Sequence, residues 1–104
     1  MAKTVVSTFR SQEAATQVLS SFISKGFDSR QLSVIEAADE AEAGPASILD
    51  QMPTLQARIY RGDLKKGAKV FVARVSERDV ARIIRLLQST GGRHIEAFDS
   101  LPVS

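Results

Sequence analysis

The chain has no cysteine and no tryptophan, one tyrosine and one histidine in 104 residues. Without cysteine there is no disulfide framework, no thiolate nucleophile and no sulfur-ligated metal. A single histidine, His94, with no second His or Cys, makes a poor zinc site and has no obvious orienting acid in its neighbourhood of the sequence. No Gly-x-Ser-x-Gly elbow accompanies the many serines, and Lys66-Gly67 belongs to no phosphate-binding Gly-x-x-x-x-Gly-Lys-Ser/Thr loop. No apolar run approaches the roughly 20 residues of a membrane span, and the opening residues lack the apolar core of a signal peptide. These absences predict a cytoplasmic, non-enzymatic protein with no cofactor, no metal and no membrane contact.

What remains is ordinary for one domain: 43% hydrophobic and 25% charged residues, with a formal net charge of +2. A chain of this length buries a core without help from metal or disulfide. The charge is unevenly placed. Through Met52 there are four Lys and Arg against seven Asp and Glu, and from Pro53 onward ten against five. A basic second half suits an anionic partner.

One layout occurs twice. Thr4 to Phe9 is an extended apolar run, Ser11 to Gly26 an amphipathic helix, and Leu32 to Ile35 a short strand. Lys69 to Val75, Ser76 to Gly92 and His94 to Phe98 repeat that order. In the first helix Ala15, Val18, Leu19 and Phe22 share a face, with Ser11 as its cap. In the last, Val80, Ile83, Ile84 and Leu87 do so, and Ser76 with Asp79 reads as an acidic capping box. Two βαβ units predict an α+β ferredoxin-like sandwich over residues 1–104: four antiparallel strands with two helices on one face.

Between strands two and three lies an insert over residues 36–67. Its acidic start, Glu36 to Gly44, reads as a solvated loop or frayed turn, since Asp39, Glu40 and Glu42 lack calcium-loop spacing. Pro45 to Met52 predicts a short helix with Ser47 and Asp50 as a capping pair. A second helix starts at Thr54, with Leu55 and Ile59 as its apolar edge and Arg58, Arg61 and Lys65 on a separate basic face.

Val5 to Phe9, Ala14-Ala15, Leu19, Lys25-Gly26-Phe27, Leu32 to Ile35 and Tyr60 to Gly67 running into Val70 to Val75 resemble the bacterial heat-induced or general stress protein domain, the 17M-like family. The resemblance implies a small stress-associated bacterial protein with no established catalytic residues. The stretch from Glu36 to Pro53 departs from it, being poorer in glycine than the family's insert. Ser7 to Ala15 with Lys25-Gly26-Phe27 is also similar to the sporulation-related repeat that binds peptidoglycan. That family repeats a Gly-x-Phe step where this chain has Arg74-Val75-Ser76, and it is carried outside the inner membrane by a signal or anchor.

Two surfaces are candidates for function. Arg78, Arg82 and Arg85 follow helical spacing on one solvent face, a contact for an anion or an unknown protein partner that Arg58, Arg61 and Lys65 could extend. The sheet face away from the helices carries Val70, Val72 and Arg74, and an apolar face left open marks an interface. Pairing of two copies through that face predicts a homodimer. Cover by the insert, or a small molecule enclosed by the face or the insert, is the alternative. Nucleic acid is not expected as a partner, because Phe71 alone, out of register, cannot supply the stacking platform of an RNA-recognition sheet.

Overall fold

The computed structural model describes residues 2–39, 49 and 52–99. Four strands form one antiparallel sheet: β1 (Ala2–Phe9), β2 (Leu32–Ile35), β3 (Lys69–Ser76) and β4 (Arg93–Asp99), in the order β2-β3-β1-β4. Three α-helices accompany them among the described residues: α1 (Gln12–Ser24), α2 (Thr54–Lys65) and α3 (Val80–Ser89). The fold is thus α+β. Because β1 and β2 both run antiparallel to β3, they are parallel to each other, and α1 crosses between them. By the same logic α3 crosses from β3 to β4, whose common neighbour is β1. A 3-10 turn at Glu77–Asp79 precedes the last helix, and the expected capping box does not form: the Ser76 hydroxyl donates to the Asp79 carboxylate at 2.9 Å and caps no backbone N–H.

Alternation along the two central strands divides their side chains between two cores. Val5, Phe9, Phe71, Ala73 and Val75 pack with Ala15, Val18 and Phe22 of α1 and Ile83 and Leu87 of α3. Phe71 sits between two rings, 6.3 Å from Phe9 and 5.0 Å from Phe22, both in edge-to-face geometry. Val6, Val70 and Val72 point the other way and pack with Ala57, Tyr60 and Leu64 of α2, joined by Leu49 and Met52.

The second face is therefore not open. Val70 and Val72 are buried under the insert, at 0% and 4% exposure, so they offer no surface to a second copy. The residues that α2 buries also differ from expectation. Ala57, Tyr60 and Leu64 face the sheet, whereas Leu55 and Ile59 face outward, 74% and 46% exposed. Both stripes have helical spacing, and the large ring of Tyr60 decides between them by the area it buries. The expected capping pair Ser47 and Asp50, and residues 40–44 of the acidic stretch, lie outside the described residues.

Each helix ends in the same left-handed turn, at Gly26, Gly67 and Gly91. The turn at Gly67 matters most. Its φ of +91° lets the Ala68 N–H reach back to the Asp63 carbonyl at 3.1 Å, which fixes the last turn of α2 over the start of β3. Gly92 is required for closeness instead. A Cβ there would lie 2.5 Å from the Ser7 hydroxyl and 2.9 Å from the Leu87 carbonyl.

Candidate functional site

The junction of β1, β4 and α2 breaks the regularity of the sheet. Val6 pairs with Glu96 and Thr8 with Arg93, so His94 and Ile95 together stand opposite Ser7 alone. This is a β-bulge, and its first residue is conventionally a glycine because that position needs a positive φ. Here it is His94, at φ +50°, the one non-glycine residue with positive φ among those described. Such a backbone persists in a non-glycine residue when its surroundings hold it.

Helix α2 supplies the hold. Gln56, Tyr60 and Asp63 follow one another at helical spacing and all reach the sheet. Gln56 donates to Glu96 at 3.0 Å, and the Tyr60 hydroxyl donates to the His94 carbonyl. Asp63 Oδ2 lies 2.7 Å from His94 Nδ1 and accepts from the Thr8 hydroxyl at 2.8 Å. A carboxylate can only accept, so this contact places the proton on His94 Nδ1 and leaves Nε2 as the ring's free nitrogen. Both ends of the strained residue, carbonyl and side chain, are thereby tied to a single helix. Burial, with the negative charges of Glu96 and Asp63 nearby, pushes the Tyr60 hydroxyl well above the usual tyrosine range, so it remains a proton donor.

His94 and Asp63 line a cavity of about 310 Å³ together with Thr8, Arg10, Lys66 and Arg93. Three cations thus meet one carboxylate, and that carboxylate is already engaged by Thr8 and His94. None of Arg10, Lys66 and Arg93 forms an ion pair within 4 Å among the described residues. The cavity has an unbalanced positive charge and an imidazole fixed at its wall. Two potential metal ligands, Asp63 and His94, meet here, and no third His, Cys, Asp or Glu joins them among the described residues.

The surfaces expected from sequence fall elsewhere. Arg82 and Arg85 are exposed on α3, and Arg78 is exposed on the 3-10 turn before it, so the stripe is not one continuous helix face. Arg82 stacks over the Phe27 ring at 4.9 Å. Arg58 and Lys65 are exposed on α2 and Arg61 is half-buried there. Since α2 and α3 pack on opposite faces of the sheet, the two basic groups do not extend each other. Arg74 is exposed and borders a shallow groove of about 260 Å³ with Arg30, Ser33 and Val72.

Sequence reasoning did not find the Asp63–His94 pair. Their separation of 31 residues is bridged only by the register of β4 and the placement of α2. The one local signal was Tyr60 with Asp63, an i, i+3 pair of polar-tipped residues within a basic stretch.

Among the described residues no helix is long and apolar enough to cross a membrane. Compared with models of known families, with curated proteins and with solved structures, the chain matches none.

Proposed function

We propose that this protein is a non-catalytic binding domain, built on a ferredoxin-like sandwich with α2 as an added layer, that takes a small anionic group in the cleft between α2 and the β1–β4 junction. One observation carries this reading: Arg10, Lys66 and Arg93 line one cavity whose single carboxylate, Asp63, is engaged by Thr8 and by a histidine held at positive φ. Bulges and strained residues gather where a side chain must be aimed. Guanidinium groups offer paired donors to an oxyanion, and Lys66 adds a point charge. The engagement of Asp63 by two donors supports a holding role for it. The family resemblance, which implies a stress-associated protein without catalytic residues, agrees with binding alone.

Titration calorimetry with inorganic phosphate at low ionic strength tests it. Binding is expected, weakening as salt rises and falling at least several-fold in Lys66→Ala and Arg93→Ala. Absence of phosphate binding to the wild-type chain, at protein and ligand concentrations that reach the millimolar range, overturns the reading.

Self-association is the second reading, and its surface moves from the sheet to α2. Leu55 and Ile59 are one turn apart and exposed, and the small Gly62 follows them at helical spacing. Light scattering over a dilution series should show a dimer that Leu55→Glu abolishes. A strict monomer at all concentrations removes this reading and leaves the first untouched.

A further inference from the structure

A second cavity, about 370 Å³, shares two lining residues with the first, Arg10 and Arg93. Its remaining wall is made by Phe9, Ala14, Thr90 and Gly91. The Thr90 hydroxyl donates to the Leu86 carbonyl at 2.9 Å, so apart from the two arginines no side chain there has a free donor. The two halves differ in chemistry. One has a lysine, an imidazole and the Asp63 carboxylate, already engaged by Thr8 and His94, beside the shared arginines, and the other has a phenylalanine, an alanine, a threonine and a glycine backbone. Each lies at the lower end of the roughly 300–1,000 Å³ that small-ligand sites occupy.

From this juxtaposition we infer that the ligand is a phosphate monoester with a planar aromatic group: its phosphate meets Lys66, His94 and the shared arginines, and its ring lies over the guanidinium planes toward Ala14 and Gly91. The inference rests on the anion-binding reading. A carboxylate would satisfy fewer of the donors than a phosphate, whose three terminal oxygens can each accept from a different cation. A guanidinium plane with its edge donors bound to the phosphate still presents a flat face on which a ring can stack. With its Nδ1 proton directed to Asp63, His94 donates to a phosphate oxygen from Nε2 only as the imidazolium, and as the neutral ring accepts there from a protonated phosphate oxygen.

The test compares inorganic phosphate, methyl phosphate and phenyl phosphate by calorimetry on the intact chain. Phenyl phosphate should bind about tenfold or more tightly than methyl phosphate, the gain expected from stacking and burying one ring. Ala14→Leu, which fills the second cavity, should remove that advantage while keeping the affinity for inorganic phosphate. Lys66→Ala should weaken all three probes alike. If phenyl and methyl phosphate bind the wild-type chain equally, the bipartite site is wrong and the anion-binding reading stands. If no probe binds, both fall. The comparison of probes needs no variant, so it decides the matter even where Ala14→Leu does not fold.

Discussion

The two faces of the sheet are packed by different physics. Under α1 and α3 the contacts are apolar, led by Phe9, Phe22 and Phe71. Under α2 a smaller apolar patch, with Ala57, Tyr60 and Leu64, is supplemented along one edge by hydrogen bonds that Gln56 and Tyr60 donate to β4 and that Asp63 accepts from β1 and β4. An apolar face is tolerant of small shifts, because burial is non-directional. Hydrogen bonds have narrow geometry, so the α2 edge holds its partners in place. The strained residue and the cationic cavity both lie on that edge. The first face stabilises the fold, and the second holds the bulge beside the cavity.

Removing an aromatic from the first face tests that division most severely. Phe71→Ala should cost about 3–5 kcal/mol in urea unfolding, since the ring is fully buried between two others. The comparison on the second face is Asp63→Ala, which leaves the Thr8 hydroxyl and the His94 ring without their acceptor. It should cost about 1–3 kcal/mol, and hydrogen exchange should quicken in α2 and at the bulge before it does in α1. Equal loosening of α1 would mean that the two faces unfold as one unit.

Tyr60 gives the second face a signature in alkali. Its hydroxyl is held protonated in the folded chain well above the ordinary range. As pH rises past the usual tyrosine value of about 10, the unfolded chain loses this proton while the folded chain keeps it. Stability contributed by Tyr60 is therefore complete below that value and falls with increasing pH until the folded group also ionises. Tyr60→Phe should be weaker by about 1 kcal/mol at neutral pH and show a shallower alkaline decline than the wild type. Parallel declines in the two proteins would show that burial and the nearby negative charges do not hold the hydroxyl protonated in the folded chain.

This contrast also explains what could be read from the residues alone. The first face was legible because Ala15, Val18 and Phe22, and Ile83 and Leu87, repeat at helical spacing opposite alternating strand residues. The doubled layout predicted four antiparallel strands, and the sheet has four antiparallel strands. On α2 two apolar stripes competed, and periodicity has no means of preferring Tyr60 over Leu55. The site was further out of reach. It joins Thr8, Asp63 and His94 through a bulge in β4, and a bulge with histidine where glycine is usual leaves no trace in composition or spacing.

The smallest effect is expected on the outward side of the first face. Arg82 and Arg85 are both exposed on α3, and their one described contact is the stacking of Arg82 over Phe27 at 4.9 Å. An exposed cation–ring contact of this kind contributes about 0.5–1 kcal/mol, and exposed charges elsewhere on a helix contribute less. The double variant Arg82→Glu and Arg85→Glu should therefore lose no more than about 1 kcal/mol, with inorganic phosphate affinity unchanged, because the binding cations sit at the β1–β4 junction. Thermal denaturation and phosphate titration of this one variant read both halves of the comparison. A large loss of stability would mean that the outer side of α3 takes part in the core. A large loss of phosphate affinity at intact stability would move the anion site from α2 to the arginines of α3.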